Sequence, residues 1–178
     1  MTFKQALLLS LSGLAVILFV PTALFYLMSV EVDAPHPSDQ YLERVFAANQ
    51  PEFEKLISMA NEDSHVVRIA SDFTWLDTSA AWPRPESELG FSNQRWDEYR
   101  RLFSKLGLTS GLVNDAPGFV LFFASSKGLV TGGSTKGYAY CATEPKFIVD
   151  SLDHPSFKDS SILYKKLKGN WYLFYQVG

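Results

Sequence analysis

The chain has 178 residues, of which 47% are hydrophobic and 15% aromatic, and its formal net charge is −3. This composition is too apolar for an intrinsically disordered chain, and the nearly balanced charge provides no electrostatic field for nucleic acid. The length is enough for one domain and an appendage.

A long uncharged segment opens the chain. No charged residue lies between Lys4 and Glu31, and the 25 residues from Ala6 to Val30 would extend about 37 Å as a helix. The hydrocarbon core of a bilayer is about 30 Å thick, so this segment is long enough to cross it with some tilt. We therefore predict an uncleaved transmembrane anchor that, with its flanks, covers residues 1–33.

Two alternatives remain for this segment. A cleavable signal peptide has a shorter apolar core, of about 7–15 residues, and the nearest small-residue exit site, at Ala34, is followed by Pro35. A buried helix of a soluble domain rarely runs so far without a polar face. Pro21 predicts a kink that a transmembrane helix tolerates.

The flanking charges predict the orientation. Lys4 precedes the apolar segment, whereas Glu31 and Asp33 follow it, so the C-terminal part is expected outside the cytoplasm. The single cysteine, Cys141, allows no internal disulfide and provides no lipid attachment point beside the anchor. These features favour a single-pass protein of a bacterial envelope.

A short linker over 34–40 leads into a domain predicted to cover 38–178. The prolines of the linker favour extended backbone, and helices come first in the domain, beginning at Ser38 and near Asn49. The expected buried positions of these two helices are Tyr41, Leu42, Val45, Phe46, Phe53, Leu56, Ile57 and Ala60.

The segment "HVVRIASDFTW" (65–75) alternates in the manner of a single strand. The alternation predicts one face with Val67, Ile69, Phe73 and Trp75, and an opposite face with Arg68, Asp72 and Thr74.

A third helix is predicted from Ser92, its N-terminal cap, to Gly107, its C-terminal stop. Its polar side offers Asp97 and Arg101 as an ion pair one turn apart. Its expected buried stripe consists of Trp96, Tyr99, Leu102, Phe103 and Leu106.

Strands dominate the rest of the chain. "DAPG" (115–118) predicts a turn, and the apolar segment 119–125 predicts a central strand buried on both faces. A strand over 137–143, a strand or short helix over 146–152, and a hairpin of 161–167 with 171–177 complete the domain. The fold class is therefore α+β: a transmembrane helix, then about three helices packed on a curved antiparallel sheet.

This order of elements resembles the cone-shaped folds of nuclear transport factor and ketosteroid isomerase. In those folds a curved sheet wraps a helix and encloses a pocket. The resemblance covers about 140 residues and has no sequence motif behind it, so it implies no catalytic residue here.

The segment "TGGSTKG" (131–137) has the composition of a phosphate-binding loop. A Walker motif requires lysine directly after its second glycine, but Ser134 follows Gly133 and Tyr138 follows Gly137. We therefore interpret the segment as the tip of a hairpin whose glycines supply positive φ angles.

The usual catalytic and metal-binding residue types form no recognisable pattern. His36, His65 and His154 lie in unrelated contexts, and Cys141 is expected to be a small buried residue. Asp72 with Asp77, or Asp150 with Asp153, are candidate carboxylate pairs without other support. We predict no catalytic residue, no cofactor and no metal site.

The connection over 77–91 is long for a loop, and such loops are often functional. Trp82 and Arg84, held among prolines, are the candidate contact residues of this loop. The alternative is that Trp82 folds back onto the core edge beside Trp75 and Trp96.

Two functional hypotheses follow. The first is a membrane-tethered, non-enzymatic module that contacts a protein or another envelope component, in addition to the lipid bilayer. The second is a small-molecule-binding or hydrolytic domain with a pocket between the sheet and the 92–107 helix, lined by Tyr138, Tyr140 and Asp72. A third option is that residues 1–30 pair with other helices through Ser10, Ser12 and Gly13. The sequence predicts no oligomeric state.

Overall fold

The computed structural model describes residues 35–76, 80–81, 88, 90–129, 132–156 and 161–178. The described residues form three helices and one eight-stranded antiparallel sheet, which confirms the α+β class. They belong to a compact unit over His36–Gly178. The predicted membrane span, with Ala6 and Val30, and the contact-loop residues Trp82 and Arg84 lie outside the described residues. None of the helices in the described ranges has the length and apolar character needed to cross a membrane.

The three helices begin where the sequence predicts, and the third also ends where predicted. They are α1 (Asp39–Ala48), α2 (Gln50–Glu62) and α3 (Asn93–Leu106). The side chains of Ser38 and Ser92 each accept a hydrogen bond from a backbone amide in the first turn, of α1 and α3 respectively. Gly107 ends α3 in the left-handed conformation, with φ of 67°.

The buried stripes of the helices are confirmed except at two positions of α1. Tyr41, expected in the core, is 50% exposed, and Val45 is only partly buried, although it packs against the core beside Leu42 and Phe46. The predicted ion pair of Asp97 with Arg101 is also wrong. Asp97 instead contacts Arg100 at 2.9 Å, one residue closer along the same helix.

Eight strands lie in the described part of the chain. They are β1 (Arg68–Ile69), β2 (Thr74–Trp75), β3 (Ala80–Ala81), β4 (Leu112–Ala116), β5 (Phe119–Leu129), β6 (Gly132–Cys141), β7 (Ile162–Lys166) and β8 (Trp171–Val177). Their spatial order is β3-β2-β1-β4-β5-β6-β8-β7, and every neighbouring pair is antiparallel. The predicted turn before β5 and the predicted hairpin of β7 with β8 are both confirmed.

The segment 65–75 is a tight hairpin rather than the single strand that its alternation predicted. Ile69 pairs with Thr74, and Arg68 pairs with Trp75. The chain reverses at Ser71 and Asp72, so Ile69 and Trp75 lie on opposite faces of the sheet and not on one. After the turn a second strand begins, and directly paired residues share a face, so Trp75 lies on the face of Arg68 and Thr74 on the face of Ile69.

The central strand β5 is buried on both faces, as predicted. Val120, Phe122 and Ala124 join the main core with the helices, whereas Leu121 and Phe123 join a second cluster formed by strand residues alone. We call the side with the helices the inner face and the other side the outer face. Irregular register at Asn114/Ala116 and at Phe123/Ser125 marks two bulges, which bend and twist strands locally.

Residues 132–137 of the glycine-rich segment lie in a strand and not at a hairpin tip. Gly132–Cys141 is strand β6, and the connection to β5 at 130–131 lies outside the described residues. Gly133 and Gly137 do not have the positive φ angles that we expected. Gly137 is required for close approach instead, since a Cβ there would lie 1.9 Å from the carbonyl oxygen of Phe122.

The segment 146–152 is neither a regular strand nor a helix. It runs along the edge strand β7 through a single parallel bridge between Ile148 and Tyr164. The amide of Val149 donates to the carbonyl of Tyr164 at 2.7 Å, and the amide of Tyr164 donates to the carbonyl of Phe147 at 2.8 Å. The segment therefore covers part of an otherwise open sheet edge.

Candidate functional site

The space between the sheet and the helices is filled with aromatic side chains. The ring of Phe53 lies 4.6 Å from that of Tyr138 and 5.4 Å from that of Trp171, measured between centroids. Phe46 and Phe122 complete this cluster, and all five side chains are buried. An interior packed in this way has no room for a ligand among the described residues.

The three residues predicted to line an inner pocket do not converge. Tyr138 is fully buried, and its hydroxyl donates to the carbonyl of Leu42 at 3.2 Å. Burial, together with the nearby Tyr41, raises the pKa of Tyr138 above its ordinary value. Tyr140 is only partly buried, and Asp72 is exposed in the β1–β2 turn. The predicted pocket between the sheet and α3 is therefore not formed by these residues.

A buried lysine joins three parts of the fold on the inner face. Lys136 on β6 is 1% exposed, and its Nζ lies 2.8 Å from Oδ1 of Asp39 and 2.8 Å from Oδ1 of Asp153. Asp39 is the first residue of α1, and its Oδ2 accepts from the Leu152 amide at 2.8 Å and from Lys165 at 3.2 Å. The lysine thus fastens α1 and the 151–153 loop to the sheet.

The electrostatics of this cluster favour the charged forms. Burial alone would raise the pKa of Asp39, but the hydrogen bonds from Lys136, the Leu152 amide and Lys165 outweigh it and lower that pKa to about 2. The position of Asp39 at the N-terminus of α1 acts in the same direction. A lysine held between two carboxylates in this way has a structural role, because its ammonium group is occupied by the ion pairs.

The histidine of the predicted linker is held against the sheet. Nδ1 of His36 lies 2.9 Å from Oγ of Ser125, Nε2 lies 2.8 Å from Oγ of Ser134, and the ring meets Tyr175 edge-on. Burial and the positive charges of Lys127 and Lys136 lower the pKa of His36 to about 4. The imidazole is therefore neutral at pH 7, and its two nitrogens are satisfied by hydroxyl groups.

The remaining predicted chemistry-bearing residues lie apart. Cys141 is buried, as expected, and burial raises the pKa of its thiol to about 11, which makes it inert at neutral pH. His65 contacts the carbonyl of Gly90, and His154 is exposed. Asp153 pairs with Lys136 rather than with Asp150, and Asp77 lies outside the described residues. Within the described ranges, no three His, Cys, Asp or Glu side chains form a group that could hold a metal ion.

An open cleft of about 330 Å³ lies at one end of the inner face. Its polar groups already contact one another: the indole of Trp171 donates to Glu54 at 2.9 Å, and the side-chain amide of Asn170 donates to the hydroxyl of Tyr140 at 3.4 Å. Lys168 also donates to Gln50 at 3.3 Å across the cleft rim. These groups offer a ligand little unused hydrogen-bonding capacity.

A second open groove, of about 340 Å³, lies at the end of the sheet where β5, β6 and β8 meet. Its lining residues are Arg68, Phe123, Lys127, Gly133, Ser134, Thr135, Gln176 and Gly178. By the pairing register, Thr135 and Gln176 face each other on the outer side of the sheet. The guanidinium of Arg68, a threonine hydroxyl and a side-chain amide therefore lie along the outer side of this groove, whereas Lys127 pairs with Ser134 on the inner side, where its charge acts on His36.

Aromatic rings surround the guanidinium group at the edge of this groove. The Cζ atom of Arg68 lies 4.9 Å from the ring centroid of Phe123, 5.4 Å from that of Phe73 and 5.7 Å from that of Trp75. Each contact is within the range of a cation–π interaction. Burial lowers the pKa of Arg68, and Asp72 offsets this only in part, but arginine stays charged at neutral pH.

The sequence does not predict the surroundings of the two most informative side chains, Lys136 and Arg68. Lys136 lies in a segment with the composition of a phosphate loop, and its burial depends on Asp39, which is far away in the sequence. Arg68 was placed on a polar face opposite Trp75, because the turn at Ser71 and Asp72 was not recognised. Ser and Asp in succession between two apolar runs are a turn signal that would have corrected this.

No family model matches the chain, and neither a curated protein nor a solved structure matches it. The resemblance to the cone-shaped folds therefore gains no support from these comparisons. The function has to be argued from the geometry of the described residues.

Proposed function

We propose that the protein is a single-pass membrane protein whose N-terminal apolar segment tethers a small, non-enzymatic α+β binding domain outside the cytoplasm. The uncharged segment from Ala6 to Val30 and the charges of Lys4, Glu31 and Asp33 support the tether and its orientation. The absence of disulfide-forming cysteine pairs favours a bacterial envelope.

The filled interior is the observation that carries the binding role. Phe53, Phe122, Tyr138 and Trp171 fill the space between α2 and the sheet. The buried stripe of α3 joins the same core, on the side where the alternative function would place its small-molecule or hydrolytic pocket. Two concave surfaces of the described residues are open grooves at the ends of the sheet. Open surfaces of this kind suit contact with a macromolecule better than enclosure of a substrate.

The buried charges support the same conclusion. Lys136 and Asp39 are the most deeply buried ion pair in the described part of the chain, and this ion pair joins α1 to β6. They hold the fold rather than present reactive groups to solvent. The surface is left for recognition of a protein or another envelope component, for which Trp82 and Arg84 are the contact residues predicted from the sequence.

Cysteine labelling in intact spheroplasts tests the tether and its orientation. The native Cys141 is buried, so it gives a low background with a membrane-impermeant maleimide. We expect Thr143→Cys, in an exposed loop, to be labelled in intact spheroplasts, whereas Thr2→Cys, before the apolar segment, is labelled only after lysis. The reverse pattern would refute the orientation, and labelling of both positions only after lysis would refute the extracytoplasmic domain.

In-cell photo-crosslinking tests the binding role. The photoreactive amino acid replaces Gln176, which lines the groove where β5, β6 and β8 meet, in the full-length chain. We expect a discrete adduct of higher mass, formed by the protein and its partner. The matched control is Ser104, which is exposed on α3. If both positions gave the same crosslinked adducts, or if the adducts contained only copies of this protein, the support for a binding domain would be removed.

A further inference from the structure

The guanidinium group of Arg68 is short of partners. Among the described residues it makes one hydrogen bond, from Nη2 to the carbonyl of Ser110 at 3.3 Å, and no ion pair within 4.0 Å. Its Nε is buried without a hydrogen-bond partner. A partly buried charge in this state is costly, because neither water nor a counter-charge compensates it fully.

A second unsatisfied donor lies on the same face of the sheet. Trp75 is the cross-strand partner of Arg68, and its indole N–H is buried without a hydrogen-bond partner. An unpaired buried donor is destabilising, and two neighbouring ones indicate that acceptors are missing from this region.

The groove beside Arg68 has the chemistry of an anion site. Thr135 and Gln176 add neutral hydrogen-bonding groups along the outer face. Asp72, the acidic residue that acts on Arg68 electrostatically, is exposed in the β1–β2 turn and forms no ion pair with it.

We propose that this groove binds a carboxylate group of a protein partner, received by the guanidinium of Arg68, with Thr135 and Gln176 around it. The proposal rests on the proposed function as a binding domain and names the group that it recognises. The planar guanidinium fork matches the two oxygens of a carboxylate, and the rings of Phe73, Trp75 and Phe123 hold that fork in place.

A carboxylate fits this groove better than a phosphate. A carboxylate carries one charge and needs fewer donors than a dianionic phosphate, and the apolar ring walls make each additional charge harder to desolvate. The partner's carboxylate is either its C-terminal carboxylate or that of an acidic side chain. The two differ in the group next to the carboxylate, which is a terminal residue with its own side chain in the first case and a methylene group in the second.

Titration of the full-length protein in detergent micelles, followed by NMR, tests the proposal. The probes are N-acetylphenylalanine for a terminal carboxylate, the α-amide of N-acetylglutamic acid for a side-chain carboxylate, N-acetylphenylalanine amide as the uncharged analogue, and inorganic phosphate. The observable is the indole N–H resonance of Trp75, which is assigned with Trp75→Phe. We expect a saturable shift with at least one carboxylate probe, in the millimolar range, and the tighter probe identifies the source.

Two variants isolate the charge. Arg68→Met keeps the apolar stem of the side chain and is expected to weaken binding of the carboxylate probe at least 10-fold. The control is Arg101→Met, which removes a 70% exposed arginine on α3 and should leave the affinity unchanged. A one-dimensional spectrum with native dispersion shows that Arg68→Met is folded, and Arg68→Lys provides a second variant if it is not.

Three results would overturn the proposal: equal binding of the uncharged amide, tighter binding of phosphate, or unchanged binding in the Arg68 variants. None of these results bears on the labelling of Thr143→Cys in spheroplasts. Failure of the carboxylate site and failure of the membrane-tethered function are therefore separable.

Discussion

The ammonium group of Lys136 lies 2.8 Å from Oδ1 of Asp39, and both side chains are buried in the described domain. The contact joins the middle of the sheet to the first turn of α1. It also places the start of the domain, directly after the predicted linker, in a fixed position on β6. A buried pair of this kind requires both partners, because removal of either leaves a lone charge in apolar surroundings.

Lys136→Met is expected to lower the free energy of unfolding by about 3–5 kcal/mol, because Asp39 and Asp153 lose their main counter-charge. Urea denaturation measures this change. Lys168→Met, at an exposed position, serves as the control and should change stability by less than about 0.5 kcal/mol.

The double variant Lys136→Met/Asp39→Asn adds a second check of the same pair. We expect it to be less destabilised than the sum of the two single variants, because the second change removes the stranded charge. Strict additivity, or a loss below about 1 kcal/mol for Lys136→Met, would contradict the structural role of the pair.

Stability is expected to depend on pH through His36. The folded-state pKa of His36 is about 4, below its ordinary value of 6.5, so between these values the unfolded chain binds a proton that the folded chain does not. The contribution is therefore complete above about pH 6.5 and is lost as the pH falls toward 4. Because the ring is partly exposed and solvent screens it, we expect this loss to be about 1–2 kcal/mol.

His36→Gln is the matched variant, because its amide keeps hydrogen bonds to serine but does not titrate. Denaturation curves between pH 7 and pH 4.5 should be flatter for this variant than for the wild type. The loss that comes from Asp39 occurs at lower pH, between 3.8 and about 2, so the two effects fall in different windows. An equal slope in both proteins above pH 4.5 would show that His36 is not the group responsible.

Two glycine substitutions separate close approach from backbone conformation. Gly137→Ala is expected to cost about 3 kcal/mol or more, because its Cβ would lie 1.9 Å from the carbonyl oxygen of Phe122. Gly107→Ala meets no atom within 4 Å and loses only the left-handed conformation, at about 1–2 kcal/mol. Thermal denaturation should rank the two variants in this order, and the opposite order would be inconsistent with the tight β5–β6 contact.

Phe53→Ala tests the filled interior. Removal of this fully buried ring is expected to cost about 3–5 kcal/mol and to open a cavity that binds benzene, which should raise the melting temperature of the variant but not of the wild type. Phe147→Ala, at a 39% exposed position, is the control and should have a small effect on both. An equal rise for the wild type would reveal a native interior cavity and would favour the pocket-based alternative.

The helices were predictable because their signals are local. The serine caps at Ser38 and Ser92, the stop at Gly107 and the buried stripes need only the next few residues. The hairpin of β7 with β8 was predictable for the same reason, since Gly169 lies between two strongly apolar runs.

The candidate sites were not predictable from local pattern. Lys136 lies in a sequence that reads as a turn, and its burial is explained only by carboxylates that the fold brings to it. Arg68 and Trp75 share a face because two-residue strands reverse at Ser71 and Asp72, whereas period-two alternation alone continues through that turn. The burial of Lys136 and the shared face of Arg68 and Trp75 both depend on contacts that the local sequence pattern does not reveal.

Alkaline carbonate extraction of membranes from cells that make the full-length chain tests the central claim most directly. If the segment between Ala6 and Val30 crosses the bilayer, the protein should stay in the pellet, and replacement of Leu14 and Leu18 by lysine should release it. Recovery of the unaltered full-length protein in the supernatant would contradict the tether and, with it, the proposed role as a membrane-anchored binding domain.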